Sequence, residues 1–533
     1  MKKMRVIHPF LFAISPVLFL FAFNIGQLSF HQIIVPLLVV LGMTFTAMLL
    51  LYLFLKNAKK AGIIITIFWI SFFSYRTVYV LIEGWHVWGF IIGCHQFLSF
   101  AWVVLFVGSA YFTVKTRSDL HGFTKFLNIS AISIVAISLV NISTYEFKTR
   151  IISQSNKLIK KNRTVRAHIN NRDVLPNIYY IILDGYARED ILKELYEYDN
   201  AAFLEYLKQK GFYIANRSRS NYCKTHLSLA SSLNSDFIHN LLDRIDVESD
   251  SIRPLNYLLN DSKVVRFLKE RGYKFISFAS GYSITEIKNA DMYIEPVRFW
   301  DEFTIALVNT TPLPYVIDML SNSNRYFRRL RRYHPLNLYK KKILYALDHL
   351  ADVAKSEEPV FVFSHIICPH PPFIFGRDDE KLDLAEEFSI SGSHLVSLLY
   401  EKSEGRRLYL KQLIFINSKI KLIIDRILSE SSRPSIIILQ ADHGSNFISL
   451  KKDDVNNVDL KDLFCIFNAY FFSDNDYRHL YDSITPVNTF RVIFNQYFGA
   501  QYDLLEDESY LSIKKRPFKF INVSDKINSS TRN

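Results

Sequence analysis

Four side chains have types and positions that could support metal-dependent chemistry. Asp184 follows the apolar run NIYYIIL, His365 follows VFVFS, and Asp442 and His443 come one residue after SIIILQ. The carboxyl ends of parallel strands meet at one edge of an open sheet, where ligands bind, so these side chains are expected to converge. Carboxylates and imidazoles together bind hard or borderline divalent cations. Each residue alone is a weak signal, but the coincidence of three strand ends predicts a metal site.

A phosphoester or sulfate-ester site also needs a nucleophile, and Thr225 is the candidate. The stretch from Leu227 to Leu233 has helical spacing, which places Thr225 at the N-cap of a helix. A hydroxyl there faces unpaired N–H groups and the positive end of the helix dipole, which suits a phosphoryl group. A bound metal ion would activate the hydroxyl as an alkoxide. The alternative interpretation is that Thr225 only caps the helix.

The strands that position these residues indicate an α/β domain with a mostly parallel sheet sandwiched by helices. From Pro176 onward, β-branched and aromatic runs alternate with amphipathic segments. Gly211 and Gly272 follow two of the predicted helices, at the positions of C-caps. The predicted strands are Asn177–Leu183, Lys274–Ala279, Val360–Ser364 and Ser435–Gln440, and the predicted helices include 201–210, 256–271 and 408–428.

Five apolar stretches precede this domain, at roughly 9–25, 33–55, 62–82, 89–113 and 126–143. About 20 helical residues cross a hydrocarbon core of about 30 Å, so most of these stretches are long enough to span a bilayer. The whole chain has 533 residues, 49% of them hydrophobic, and a net charge of +13, which excludes wholesale disorder. Its first 145 residues contain only ten basic and two acidic residues, too few for a soluble domain. The first stretch lacks a small-residue cleavage site, so it is expected to be retained as a helix.

Basic residues in the short loops predict the orientation of these spans. They lie before the first span, between the second and third, and between the fourth and fifth, whereas 26–32 and 83–88 contain no Lys or Arg. The positive-inside rule then places the N-terminus in the cytoplasm and the α/β domain outside. The predicted organisation is a five-helix membrane domain (1–145), a juxtamembrane linker (146–175), an extracytoplasmic catalytic domain (176–512) and a loose basic tail (513–533).

Together these features resemble the alkaline phosphatase/sulfatase superfamily, in particular the membrane-bound branch of lipoteichoic acid synthases and phosphoethanolamine transferases. The shared order is a strand ending in Asp184, Thr225 at a helix start, and Asp442-His443 after a late strand. The resemblance covers about 175–510, and the membrane part only in architecture. The segments that carry it are YYIILDGYARED (179–190), SNYCKTHLSLASSLN (220–234), FSHIICPHPPFIF (363–375), ILQADHGS (438–445) and ITPVNTFRVIFN (484–495).

The resemblance implies a ligand set for a metal ion. Asp184, Thr225, Asp442 and His443 would surround one divalent ion, Mn²⁺, Mg²⁺ or Zn²⁺, and Thr225 would be the nucleophile that becomes covalently modified. The synthases and transferases usually carry Glu where this chain has Asp184, which looks more like the phosphodiesterase and glycolipid phosphoethanolamine transferase branches. No Asp-x-x-x-His pair for a second metal is found in the sequence, which favours one metal over two.

Two further residues bear on the reaction. His365 or His370 matches the family's substrate-side histidine, which would protonate the leaving oxygen or hold the phosphoryl group. Prolines on both sides of His370 fix its backbone and favour it slightly. A true sulfatase would carry Cys-x-Pro-x-Arg, whereas Cys223 is followed by Lys-Thr-His-Leu, so Cys223 is expected to be a packed residue.

The leading hypothesis is a metal-dependent transferase in a bacterial-type inner membrane, with its catalytic domain periplasmic or extracellular. It would move a phospho-substituent, such as phosphoethanolamine or phosphoglycerol, from a phospholipid donor to an envelope glycan or lipid through a covalent Thr225 intermediate. The alternatives are a phosphate or sulfate ester hydrolase with the same residues, and an inactive scaffold for envelope assembly. Nucleic acid is not an expected partner of an extracytoplasmic domain. The basic run 325–334 is either a solvated surface or one that rests on anionic lipid.

Overall fold

The computed structural model describes most of the chain, in two compact units. It covers 5–155, 174–242, 247, 251–296, 300–376, 402–445 and 459–529, apart from residues 27, 29, 88, 89, 324, 514 and 515. The helical unit comprises Met1–Ile152 and Arg298–Leu338, and the sheet unit comprises Ser153–Val297 and Tyr339–Asn533. The sequence did not predict that residues 298–338, which interrupt the expected catalytic domain, belong with the N-terminal helices.

The elements are numbered along the chain. The helices are α1 (His8–Phe23), α2 (His31–Leu55), α3 (Ala58–Ile82), α4 (His95–Lys115), α5 (His121–Ser155), α6 (Glu189–Tyr196), α7 (Ala201–Gln209), α8 (Thr225–Asn234), α9 (Ile238–Leu241), α10 (Arg253–Asn260), α11 (Lys263–Lys269), α12 (Glu302–Asn309), α13 (Leu313–Ser323), α14 (Pro335–His349), α15 (Lys402–Glu430), α16 (Leu460–Phe464), α17 (Pro486–Phe498) and α18 (Ser524–Ser529). The strands are β1 (His86–Val87), β2 (Phe90–Ile91), β3 (Asn177–Leu183), β4 (Tyr213–Ile214), β5 (Lys274–Phe278), β6 (Met292–Ile294), β7 (Val360–Ile366), β8 (Ser435–Gln440), β9 (Asn468–Phe472), β10 (Tyr510–Ile513) and β11 (Arg516–Asn522). Two 3₁₀ helices occupy Arg325–Tyr333 and Leu350–Lys355.

The helical unit contains four helices that are long and apolar enough to cross a membrane, α2 to α5. They correspond to four of the five predicted spans. Helix α1 has 16 residues, about 24 Å at 1.5 Å per residue, which is shorter than the hydrocarbon core. Five spans therefore stay a prediction. Helix α5 continues to Ser155, so the first part of the predicted linker is helical, and its remainder lies largely outside the described residues.

The sheet unit is built on a seven-stranded sheet in the order β4-β9-β8-β3-β7-β5-β6. Strands β8, β3, β7, β5 and β6 are parallel, and β9 is antiparallel to both β8 and β4. The mostly parallel sheet is as predicted, whereas the single antiparallel strand β9 and the short edge strand β4 beyond it were not. Every residue of β3, β7 and β8 is buried, which explains why these strands read as continuous apolar runs.

Helices α8 and α17 pack on the sheet face formed by Ile178, Tyr180 and Ile182. The Tyr180 ring meets Phe490 of α17 edge to face, with the centroids 5.1 Å apart. The Tyr180 hydroxyl donates to Oγ of Ser232 in α8, at 3.0 Å. This packing fixes α8, and with it Thr225, against the central strand.

The described residues near the C-terminus form regular elements, at Tyr510–Ile513, Arg516–Asn522 and Ser524–Ser529, whereas the sequence predicted a loose tail from residue 513. Strands β10 and β11 form an antiparallel hairpin, and α18 follows them. Phe518 is buried in the main core of the sheet unit, and Phe520 packs against Tyr222, with the ring centroids 5.2 Å apart. The basic and polar composition of the tail hid this alternation of aromatic residues.

Candidate metal centre and nucleophile

The predicted strand-end residues meet at one edge of the sheet. Strand β3 lies between β7 and β8, so Asp184 is flanked by the ends of both neighbours. Oδ2 of Asp184 lies 3.2 Å from Nε2 of His365, and its Oδ1 lies 3.4 Å from Nε2 of His443. The same nitrogen of His443 lies 3.4 Å from Oδ2 of Asp442. His365 is the penultimate residue of β7 rather than the residue after it, because the strand is longer than predicted.

These side chains fit a divalent cation. Two overlapping groups, Asp184–His370–His443 and Asp184–His365–Asp442, each have ligand atoms within 4.8 Å of one another. Oδ1 of Asp184 and Oδ2 of Asp442 are buried without a hydrogen-bond partner among the described residues. Buried polar atoms without partners are costly, and a cation coordinated by them would remove that cost. His365 and His370, predicted to face the substrate, are therefore also candidate ligands.

Electrostatic coupling within the cluster favours its charged forms. Burial alone would raise the pKa of Asp184, but the imidazoles of His370, His365 and His443 hold that pKa well below its usual range. Burial alone would lower the pKa of His443, but Asp442 and Asp184 raise it above the ordinary 6.5. Negative charge is thus retained on the buried carboxylate of Asp184, as a cation site requires.

Helix α15 holds the loops that carry Asp184 and His370. Tyr409 donates its hydroxyl hydrogen to the carbonyl of Gly185, at 2.9 Å. One turn later, Nε2 of Gln412 donates to the carbonyl of His370, at 2.8 Å. Residues three apart share a helix face, so a single helix positions both loops. Gly185 has a φ of 70°, which a residue with a side chain rarely adopts.

The loop after β5 supports His365 from its other side. Oγ1 of Thr285 lies 2.9 Å from Nδ1 of His365, which leaves Nε2 directed at Asp184. The next residue, Glu286, forms a buried ion pair with Lys342, at 3.3 Å, with side chains 4% and 3% exposed. Sequence analysis missed all three supporting residues, because no local pattern links a loop to a histidine 80 positions away.

Thr225 is the first residue of α8, and Lys224 is the N-cap, one position earlier than predicted. No side-chain hydrogen bond caps this end, so the alternative that Thr225 serves as the cap fails. Lys224, Thr225 and His226 are half-buried, unlike the buried Asp184 and His443. Cys223 is buried, as expected for a packed residue.

The residues beside Thr225 are electrostatically coupled to the cluster. Burial and the positive charge of Lys224 lower the pKa of His226 to about 3, with a smaller contribution from His443. Lys224 likewise disfavours the protonated form of His443. Both neighbours of Thr225 therefore interact with His443, which associates the N-terminus of α8 with the candidate metal centre. Lys224 also supplies a cation that sequence analysis did not single out.

Comparisons with known proteins give weak likenesses to the groups that the sequence resembles. No protein-family model and no curated protein matches the chain. The C-terminal periplasmic domain of EcEptC from Escherichia coli is 11% identical, with a TM-score of 0.42 over 69% of this chain and 98% of that one. Lipooligosaccharide phosphoethanolamine transferase A of Neisseria meningitidis, an integral membrane protein, is 10% identical, with a TM-score of 0.39 over 92% of this chain and 95% of that one.

A protein in the alkaline phosphatase superfamily from Vibrio parahaemolyticus is also similar. It is 10% identical, with a TM-score of 0.37 over 68% of this chain and 80% of that one. All three TM-scores lie below 0.5, so these similarities alone assign no function to this chain.

Proposed function

We propose that this protein is a metal-dependent transferase in a bacterial inner membrane, with its sheet unit on the periplasmic side. It moves a phospho-substituent from a membrane phospholipid to an envelope glycan or lipid. The observation that carries the proposal is the meeting of Asp184, Asp442 and His443 at one sheet edge, where Oδ1 of Asp184 and Oδ2 of Asp442 are buried without hydrogen-bond partners among the described residues. Thr225 lies at the N-terminus of α8, and its neighbours Lys224 and His226 interact electrostatically with His443.

Asp184, Asp442 and His443 would hold one divalent cation, with His365 or His370 completing the set. When bound, such a cation supplies Lewis-acid chemistry, lowering the pKa of a nearby hydroxyl and offsetting phosphoryl charge. Thr225, at the positive end of α8, provides the nucleophile, and Lys224 adds positive charge beside it. Both described ligand groups contain Asp184, so Asp184 is the central ligand of the proposed centre.

In the first half-reaction, the Thr225 hydroxyl loses its proton to water and Oγ forms a bond to the donor phosphorus. The bond from phosphorus to the diacylglycerol oxygen breaks, and His370 donates a proton to that oxygen. His370 suits this role because it is half-buried, whereas His365 is 2% exposed and held by Thr285. In the second half-reaction, neutral His370 accepts the proton of an acceptor hydroxyl, whose oxygen bonds to phosphorus as the bond from phosphorus to Oγ of Thr225 breaks. Water returns a proton to Oγ, which restores the Thr225 hydroxyl.

The test is mass spectrometry of the Thr225 peptide after incubation of the full chain with vesicles of phosphatidylethanolamine or phosphatidylglycerol. Without an acceptor, a transferase holds its covalent intermediate, so we expect a modified Thr225 peptide. Thr225→Ala removes the modification and turnover, and Thr225→Ser, which keeps the hydroxyl, retains part of both. Because no cap bond is lost, Thr225→Ala should change stability by no more than about 0.5 kcal/mol.

Two outcomes would contradict the proposal. Rapid multiple turnover with water as the sole acceptor identifies a hydrolase that uses the same residues. Absence of modification with either lipid, together with unchanged envelope chemistry in a Thr225→Ala strain, identifies a scaffold.

A further inference from the structure

One segment of the helical unit, Arg298–Leu338, lies along the chain between strands β6 and β7 of the sheet unit. Helices α12 and α13 form an apolar pair bent by 78°. The 3₁₀ helix Arg325–Tyr333, with sequence RYFRRLRRY, follows them and is called here the arginine helix. These residues are far from Thr225 in the chain and play no part in the proposed reaction, so the inference below does not depend on that reaction.

Helix α12 is packed among the N-terminal helices. Phe303 and Leu307 are buried in one apolar cluster with Val17 of α1, Ile33 of α2 and Trp69 of α3. Burial of large apolar side chains on three helices holds α12 in the helical unit.

Helix α13 is joined to the start of a candidate spanning helix. Tyr315 stacks on His95, the first residue of α4, with the ring centroids 4.5 Å apart and the planes inclined by 18°. In addition, the main-chain N–H of Arg76 in α3 donates to the carbonyl of Thr310, which follows α12, at 3.3 Å. An end of a spanning helix lies at the level of the lipid headgroups. Tyr315 of the bent pair therefore lies at the headgroup level, ten residues before the arginine helix begins.

The composition and exposure of the arginine helix suit that level. It has five arginines in nine residues, with no acidic residue in its first turn and no buried residue. Within the described parts of the chain, no carboxylate forms an ion pair with Arg325, Arg328, Arg329, Arg331 or Arg332. Tyr326 is 89% exposed, and aromatic side chains are enriched at membrane interfaces. Like charges this close repel one another unless anions neutralise them.

We propose that the arginine helix binds the anionic headgroups of phospholipids in the leaflet next to the start of α4. Phosphate is the matching ligand, because guanidinium groups bind it through paired hydrogen bonds. Each basic residue near an anionic leaflet strengthens the association about fivefold, so five together discriminate strongly between anionic and neutral membranes.

The test places an environment-sensitive fluorophore on the arginine helix of the full chain. Tyr326→Cys is labelled in a Cys94→Ser background, because Cys223, Cys368 and Cys465 are buried. The protein is reconstituted in nanodiscs of phosphatidylethanolamine, with or without phosphatidylglycerol. We expect blue-shifted emission only with phosphatidylglycerol, reversed by about 0.5 M salt, which shortens the screening length to a few ångströms.

Two five-fold variants separate charge from fold. Replacing all five arginines by glutamine should remove the lipid-dependent shift, and replacing them by lysine should keep most of it. Equal melting temperatures of the two variants exclude loss of folding as the cause. The proposal is overturned by identical emission in both kinds of nanodisc, or by a glutamine variant that responds like the parent. A shift that appears only when a soluble acidic protein is added would assign the arginine helix to a protein partner instead.

Discussion

Replacing Asp442 by asparagine tests the candidate metal centre with the smallest change in volume. Asp442 is 1% exposed, and its Oδ2 has no hydrogen-bond partner among the described residues. Its Oδ1 accepts a hydrogen bond from the N–H of Gly185, at 3.2 Å, which asparagine can also accept. The substitution therefore removes a negative charge from the proposed ligand set while it keeps the local packing.

The expected magnitude follows from linkage between metal binding and folding. A metal at 100 times its Kd stabilises the folded protein by about 2.7 kcal/mol, or about 5 °C at about 2 °C per kcal/mol. Loss of a residue that merely orients a ligand costs up to about 100-fold in metal affinity, and we expect at least that for Asp442. After a 100-fold loss of affinity, the same metal concentration equals the Kd of the variant. The stabilisation by the metal then falls to about 0.4 kcal/mol, or less than about 1 °C.

The assay is the melting temperature of the sheet unit in the full chain, measured after chelation and after addition of Mn²⁺, Mg²⁺ or Zn²⁺. Asp291→Asn is the matched control, because Asp291 accepts from the N–H of Phe275, at 2.8 Å, at the beginning of β5. The control should keep the full metal-induced shift. An Asp442→Asn protein with the shift and activity of the parent would refute the ligand assignment.

Three more predictions concern the support of the site and the topology. Thr285→Val leaves Nδ1 of His365 without its hydroxyl partner, so metal affinity or turnover should fall about 10–100-fold, and Thr285→Ser should restore it. Glu286→Gln leaves Lys342 buried without a counter-charge and should destabilise the protein by about 3–5 kcal/mol, less in the Glu286→Gln, Lys342→Met double variant. Burial alone would raise the pKa of Glu286, but the charges of Lys342 and Lys288 hold that pKa below the ordinary 4.5. Melting scans should therefore show that the stabilisation by this ion pair is present above pH 4.5 and is lost as the pH falls through the lowered pKa. Alkaline phosphatase fused to the C-terminus should be active and a fluorescent protein dark, and the opposite pattern would contradict the orientation.

The central part of the fold could be predicted because buried parallel strands leave a strong local signal. Strands β3, β7 and β8 are continuous apolar runs, and Asp184 and Asp442 follow two of them directly or after one residue. The edge strands left no such signal, since β4 has two residues. The hairpin near the C-terminus was missed because Phe518 and Phe520 alternate with charged and polar residues in a basic segment.

The support of the site was less predictable than its ligands. Thr285 and Gln412 are ordinary residues in a loop and a helix, and only the folded chain brings them to His365 and to the loop of His370. Strand β7 was predicted to end at Ser364, because the polar His365 interrupts the apolar run. In the structure His365 is paired with Ile182 inside the sheet, and the strand continues to Ile366. Polar residues inside a strand interrupt a hydrophobic pattern even where a neighbouring carboxylate accounts for their burial.

The chain crosses between the helical unit and the sheet unit more than once. The polypeptide passes from the helical unit to the sheet unit, returns to the helical unit at Arg298–Leu338, and re-enters the sheet unit at Tyr339. The returning segment is followed within a few residues by Lys342, whose ion pair with Glu286 adjoins the Thr285 that holds His365. Helix α14 runs from Pro335 to His349 and so carries the chain from the helical unit into the sheet unit, where its Lys342 pairs with Glu286.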